Sequence, residues 1–413
     1  MNGPLSHIKV LDLSRILAGP WSGQIFADLG ADVVKVERLG SGDDTRYWGP
    51  PYLKKPDGTE TREAGYFLAV NRGKRSITLD LNTPEGQQIV RELAAQSDIL
   101  LENYKVGNLA RFGLSYEDLK EVNPKLIYCS ITGFGQTGPK RDHAAYDFMI
   151  QAMSGLMSVT GERDDLPGGG PQKVGVPIVD ILTGMYACIA SLAALSRRAV
   201  TGEGEYVDIS MLDVTVSSLT NQAMNYLLTG KAPKRAGNKH PNIQPQDVFA
   251  TQEGHIALAV GNDGQFVKLC NVLGRPDLLE GEQFLTNPSR VEHLGELLSI
   301  IKDIFAEKET KYWVHALEEA GVPCAAINNV PEVFAEPQVE SREMLINLPH
   351  PEAGKVSLLA SPMRFKNSPV SYHLPPPLLG QHNEEILMEL GKDVKKHPDL
   401  FNACGVVTPD ITV

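Results

Sequence analysis

The sequence predicts an α/β fold: an open, mainly parallel, Rossmann-like sheet in a large domain that is split in sequence, with a smaller α+β domain inserted. Three observations predict it. Short apolar runs alternate with amphipathic stretches from residue 8 to residue 131, the rhythm of parallel strands joined by helical crossovers. That rhythm stops at 229–246, beginning Thr229-Gly-Lys-Ala-Pro-Lys-Arg235, which is polar, basic and rich in Pro and Gly like a linker. Strand-like runs then return at 355–359 and 363–365. A chain of 413 residues is also too long for one simple core. The expected division is 1–228 for the first part of the large domain, 229–246 for a linker and 247–325 for the small domain. Residues 326–413 form a return linker and the rest of the large domain.

Taken in order, residues 8–13 are a short apolar strand, and Ala18-Gly19-Pro20 turns the chain into a helix over 21–29. Val33-Val-Lys-Val-Glu37 is the returning strand, which completes a βαβ unit without a GxGxxG fingerprint. A turn-rich loop, Gly40-Ser-Gly-Asp-Asp-Thr-Arg46, and a polar insertion over 54–63 precede the strand 76–81. Thr83-Pro84 starts a helix by the cap-then-proline rule and carries it to residue 96. The strand 99–103 follows. Ser115 and Asp118 make a capping box for a helix that stops at Asn123-Pro124, and 126–131 is a further strand. Residues 204–210 are one more strand and 212–228 a helix. In the small domain, two strands flank a Glu253-Gly254 turn, and helices follow at 265–272, 292–305 and 311–320. Pro375-Pro-Pro leads to a last helix at 383–390.

Composition narrows the function. Hydrophobic residues at 42% and charged residues at 22% describe an ordinary globular chain. With 39 Lys+Arg against 51 Asp+Glu, the net charge of −12 argues against nucleic acid or an anionic membrane as a partner. The start, Met1-Asn-Gly-Pro-Leu-Ser-His7, reads as no secretory signal. Cys129, Cys188, Cys270, Cys324 and Cys404 are scattered and lack CxxC spacing, which fits reduced thiols in the cytoplasm and no metal.

The longest apolar segment, 181–199, reads as a core helix with Arg197 and Arg198 in its final turn and Gly202 as its stop. Asp180 falls at the expected N-cap, where free N–H groups and the helix dipole would hold its carboxylate ionised. Such an acid can be a cap, a base or a nucleophile. Tyr146-Asp147-Phe148 and the loop Leu166-Pro-Gly-Gly-Gly170 precede it, and a close backbone turn beside an acid suits a site that stabilises an oxyanion. Two sets of cations on this acidic chain read as anion contacts or as solvated edge charge. Arg38 ends a strand, and Arg72, Lys74 and Arg75 sit at a strand entrance.

An ordered series of motifs then carries a resemblance. It runs Val10-Leu-Asp-Leu-Ser-Arg-Ile-Leu-Ala-Gly-Pro20, Asp28-Leu-Gly-Ala-Asp32, Lys35-Val-Glu-Arg38 and Gly42-Asp43-x-Thr45-Arg46, then Asn71-x-x-Lys74-Arg75-Ser76 and Glu102-Asn103-Tyr104. Gly133-x-Gly135-x-x-Gly138-Pro139, Tyr146-Asp147, Asp180-x-x-Thr183-Gly184 and Pro377-Leu-Leu-Gly-Gln-His382 complete it. The chain resembles the class III CoA-transferases, the formyl-CoA transferase and carnitine CoA-transferase family. Trp48-Gly-Pro-Pro51, Ile327-Asn-Asn329 and Phe334-Ala-Glu-Pro-Gln-Val339 make it similar to the succinyl-CoA:dicarboxylate branch. The resemblance implies that Asp180 is a nucleophile passing through an anhydride and an aspartyl-CoA thioester. It places CoA contacts at Leu17, Ala18, Arg38, Leu79, Asp80, Leu81, Asn82, Asn103, Tyr104, Lys105, Arg111, Ala144, Ala145, Tyr146 and Asp147. CoA and acyl-CoA enter as substrates beside a small carboxylic acid, with no permanently bound cofactor, and two chains are implied to interlock as a homodimer.

One stretch departs from the pattern. Where formyl-CoA members carry a run of glycines, this chain has Gly261-Asn-Asp-Gly264-Gln265. Two rival readings share the motifs. An acyl-CoA racemase would need a base on each side of a carbon, yet Tyr146 stands where those relatives carry histidine, and His143 is displaced. A binding protein for CoA esters would keep the cleft without the chemistry. For a distal substrate carboxylate, Arg72, Lys74, Arg163 and Lys173 are the candidate partners.

Overall fold

A computed structural model describes residues 3–392. Cys404 and the end of the 326–413 segment lie outside the described residues. Residues cluster into two compact units: Met1–Leu156 with Val174–Thr220 and the chain from Glu340 onward, and Met157–Lys173 with Asn221–Val339.

The first unit is built on strands β1 (Lys9–Asp12), β2 (Asp32–Arg38), β3 (Tyr52–Lys54), β4 (Glu60–Ala64), β5 (Lys74–Leu79), β6 (Ile99–Glu102), β7 (Ile127–Thr132) and β8 (Glu205–Ser210). Six of them form one sheet in the order β5-β2-β1-β6-β7-β8, and every pairing in it is parallel. The chain runs outward from β1 to β2 and β5, then returns to β6 on the other side of β1 and runs outward again. That reversal leaves a crevice at the carboxyl ends of β1 and β6, the place where open parallel sheets take their ligands. β1, β5 and β6 are buried along most of their length because helices cover both faces.

The helix Pro84–Ala95 begins at Thr83, whose hydroxyl accepts from Gly86 N, and the capping box of Ser115 and Asp118 starts Tyr116–Val122. The apolar segment forms the 24-residue helix Ile178–Thr201, closed by Gly202 at φ 77°, and it packs along the helix Ala18–Asp28. It is long and apolar enough to cross a membrane by length and composition, with an 18-residue window of mean hydropathy 1.9. Its packing within the unit and the acid in its first turn are what a core helix shows. Gly184 makes the close approach possible, because a Cβ there would run into the carbonyl oxygen of Ala18.

The second unit has an antiparallel sheet of β9 (Gln246–Ala250), β10 (His255–Ala259) and β11 (Cys324–Ala326). Its core gathers Phe249, Phe266, Ile301, Phe305, Trp313 and Leu317. Back in the first unit, β12 (Leu345–His350) and β13 (Gly354–Leu359) form a hairpin.

Several elements differ from the sequence reading. The polar insertion folds as the β3–β4 hairpin, whose alternation is hidden by charged residues on its solvent side. The expected helix 212–228 is two, Met211–Ser217 and Thr220–Thr229, with Thr220 at φ 41° where the second begins. Residues 324–326, at the expected start of the return linker, are an edge strand, and 363–365 form no strand.

Candidate active site

Asp180 is 9% exposed and lies in the first turn of the helix Ile178–Thr201, three residues past the N-cap, Pro177. The expectation of an N-cap aspartate is therefore corrected. The cap comes from elsewhere: one carboxylate oxygen of Asp147 accepts from Val179 N at 2.8 Å and from Asp180 N at 3.3 Å. Its other oxygen accepts from Gln151 Nε2 at 2.5 Å. The free amides that were to hold Asp180 ionised are thus spent on a neighbouring acid. Burial and the Asp147 charge push the Asp180 carboxyl up to about 7, so it is not held ionised as expected. A desolvated carboxylate of raised basicity is a stronger nucleophile once it ionises.

Other parts close on this acid. Thr183 Oγ donates to Val179 O and ties the first turn together. Tyr66 stands near both acids, and its hydroxyl is pushed above its ordinary value by burial, then by Asp180 and Asp147. Its ring meets Trp48 edge-on at 5.2 Å. Sequence reading did not single out Tyr66, which sits in a short helix with no motif of its own. Gly133 lets Ala145 approach, since a Cβ at Gly133 would strike the Ala145 methyl. Ala145 precedes Tyr146, which is exposed, and Asp147, so the glycine-rich turn after β7 sets the acid pair in place.

At the crevice between β1 and β6, a cavity of about 250 Å³ is lined by Arg38, Tyr104, Arg111 and, unforeseen from sequence, Arg15. It brings together three of the predicted CoA-contact residues and offers Arg38 and Arg111 to an anion, while Arg15 is paired with Asp44 at 2.8 Å. Asn103 bridges the crevice: its carbonyl accepts from Arg15 N at 2.9 Å and its amide donates to Arg15 O at 2.6 Å. Leu17 and Ala18, both buried, follow directly. Beside it, Lys105 lines a second cavity of about 240 Å³ with Glu102, Tyr116, Tyr128 and Tyr206. Glu102 is pushed up to about 7 by burial, despite its bonds to Ser130 Oγ and Tyr104 N.

Other predicted contacts are not gathered there. Leu79 is buried in the core of the sheet, and Asp80, Leu81 and Asn82 turn the chain after β5. Asp80 spends one oxygen on Asn82 N and Nδ2. Neither cavity includes them. Ala144 is exposed.

The cluster of Arg72, Lys74 and Arg75 is neither an anion site nor solvated edge charge. Arg72 forks onto Asp28 at 2.9 and 2.6 Å, Lys74 reaches Asp12 at 2.9 Å, and Arg75 meets Asp32 and Glu389. Parallel register carries these charges into the fold opposite acids from β1, β2 and the helix between them. The same pairs remove Arg72 and Lys74 as partners of a substrate carboxylate, and Arg163 is held by Asp165 at 2.5 Å. No group of His, Cys, Asp and Glu among the described residues could hold a metal ion.

With this geometry in view, the likenesses to known proteins agree with one another. The profile described as "CoA-transferase family III" matches residues 5–383. The succinate–glutarate CoA-transferase of Agrobacterium fabrum is 48% identical over 94% of this chain and 96% of its own length. Human succinyl-CoA:glutarate CoA-transferase is 43% identical over 98% of this chain and 90% of its own. Among solved structures, a CaiB/BaiF family protein from Brucella suis superimposes with a TM-score of 0.83 at 47% identity, covering 94% of this chain and all of that one. A mixed α/β fold on a six-stranded parallel sheet, a buried acid at the head of its long helix, and matches spanning nearly the whole sequence assign this chain to CoA-transferase family III.

Proposed function

We propose that this CoA-transferase moves CoA from succinyl-CoA to a dicarboxylate such as glutarate, with Asp180 as the covalent nucleophile. The observation that carries the reading is Asp180 itself, a desolvated acid in the first turn of the long helix with its carboxyl raised to about 7. The carboxylate attacks the thioester carbonyl, forming a mixed anhydride and expelling CoA thiolate. The thiolate attacks the aspartyl carbonyl of the anhydride, releasing succinate and leaving an aspartyl-CoA thioester. The acceptor carboxylate attacks that thioester, CoA leaves again as thiolate, and its attack on the acceptor's acyl carbon gives the new acyl-CoA and frees Asp180. No net proton is consumed, and no permanently bound cofactor is called for. In this reading Arg38 and Arg111 take phosphates of CoA, with Leu17, Ala18 and the 103–105 and 144–147 segments along its stem.

The enzyme is proposed to act in the cytoplasm as an interlocked homodimer. Apolar side chains left exposed on the first unit support a second copy: Phe148 and Met149 on one helix, and Met185 and Ile189, the last 58% exposed, on the long one. Offering succinyl-CoA with a panel of carboxylic acids, and weighing the products by mass spectrometry, tests the substrate assignment. Glutaryl-CoA is the expected main product. A preference for monocarboxylates over every dicarboxylate would sink it.

The acid pair also sets a pH dependence. Only ionised Asp180 attacks, so kcat/KM for succinyl-CoA is expected to rise with pH through about 7. In Asp147→Asn the side-chain oxygen still caps Val179 N, but the charge that raises Asp180 is gone. The inflection then moves to lower pH while burial keeps it above the ordinary carboxylate range. An inflection that stays put in this variant would show that another group titrates.

A further inference from the structure

The loop from Ser14 to Leu17, between β1 and the helix Ala18–Asp28, contains a strained residue. Ile16 has φ 72°, a left-handed backbone that a β-branched side chain rarely adopts. Such a conformation persists only where its surroundings impose it. Lys35 Nζ donates to Ser14 O at 2.8 Å, and Asn103 holds both backbone groups of Arg15. Ile16 N itself donates to the two carboxylate oxygens of Asp43 at 3.2 and 3.3 Å.

Asp43 is built for this load. It is 3% exposed, and it accepts from Thr45 N and Oγ at 3.0 and 2.7 Å while facing Lys35 at 3.0 Å. Its own amide is tied to Glu37 at 2.9 Å. The next two residues after Ile16 are Leu17 and Ala18, which the proposed function places against the acyl-CoA. Ala18 also contacts the long helix at Gly184, one turn beyond Asp180.

We propose that Asp43 is a positioning residue for the acyl-CoA site: its buried carboxylate holds Ile16 in the left-handed conformation and so fixes Leu17 and Ala18 at the mouth of the sheet crevice. This rests on the CoA-transfer reading of the site. Asp43 lines the cavity at that crevice, but its carboxylate is committed to the Ile16 amide, Thr45 and Lys35. It acts on the loop through one backbone amide, that of Ile16, and it also caps the short turn Asp44–Tyr47, so the test must separate these two roles.

The test uses the full chain as wild type, Asp43→Asn and the double variant Asp43→Asn with Ile16→Gly. CoA affinity is read by titration calorimetry with CoA itself, together with KM for succinyl-CoA and for glutarate. The Asp43→Asn change weakens the clamp and is expected to lower CoA affinity about tenfold, with a matching rise in KM for succinyl-CoA and no change in KM for glutarate. Glycine adopts φ near +70° freely, so Ile16→Gly in the same chain is expected to restore CoA affinity to within about threefold of wild type. Loss of capping at Thr45 cannot be repaired at residue 16. Failure of the rescue, or equal losses in both KM values, would overturn the positioning role. A wild-type chain that binds CoA but transfers it to no acid removes the reaction assigned above, and the affinity arm still decides the role of Asp43. One that does not bind CoA removes both.

Discussion

Replacing Asp180 by alanine is expected to lower CoA transfer by about 10⁴-fold or more, because the proposed mechanism takes its acyl-accepting oxygen from that side chain. CoA affinity stays within about threefold, since the cations of the crevice are untouched. The complementary measurement is chemical: hydroxylamine added during turnover of the wild type cuts the aspartyl thioester and marks the peptide containing Asp180. A label on a different acid, or turnover above one hundredth of wild type in the alanine variant, refutes the mechanism. The conservative change separates chemistry from folding. Asp180 has a folded pKa of about 7, above the ordinary carboxylate value of 3.8, so ionising it costs the folded state free energy as pH rises between those values. Asp180→Asn keeps the shape and removes that cost. It is expected to be inactive yet more stable than wild type at pH 8, on the order of 2 kcal/mol, with the difference vanishing below pH 4.

The strand and helix order of the large sheet was legible because its signals are local. Thr83-Pro84 and the Ser115/Asp118 box each act within one turn, and they start helices where the sequence places them. What was not legible depended on partners far along the chain. The 72–75 cations read as surface or ligand charges until parallel register set Asp12, Asp28 and Asp32 opposite them. The sequence holds the charges but not the pairing.

The same limit shows at the site. Asp180 was visible as an acid heading an apolar helix, but its state was misread by one turn of helix. With Pro177 at the cap and Asp147 reaching across from another helix, the dipole argument applies to the wrong carboxylate. Arg38 and Arg111 stand 73 positions apart in the chain and line one cavity only because β2 and the segment after β6 both end at the crevice. Arg15 joins them from within the Val10–Pro20 motif, which marked the segment without assigning that side chain a role.

A buried ion cluster lies beside that crevice, and breaking it is expected to have a large effect on stability. Arg46 is 3% exposed and uses its whole fork. Nε and one terminal nitrogen hold Glu37 at 2.8 and 2.7 Å, the other terminal nitrogen holds Glu63 at 2.8 Å, and Pro377 O accepts at 3.0 Å. The guanidinium lies 3.7 Å from the centroid of the Phe67 ring. Arg46→Ala leaves buried Glu37 and Glu63 without the cation that lies between them, a loss of about 3–5 kcal/mol that lowers the melting temperature by about 5 °C. Arg46→Lys recovers little, because an ammonium cannot satisfy two carboxylates in a plane. Burial already pushes Glu63 up to about 6 against the pull of Arg46, and without the arginine it rises further. Protonation then relieves the repulsion. The deficit of Arg46→Ala should therefore be greatest at pH 8 and shrink by pH 5, whereas Arg163→Ala, which cuts an exposed pair, should leave the melting temperature unmoved at either pH. A deficit that does not change with pH would mean that Arg46 acts by filling space over Phe67 and not by its charge.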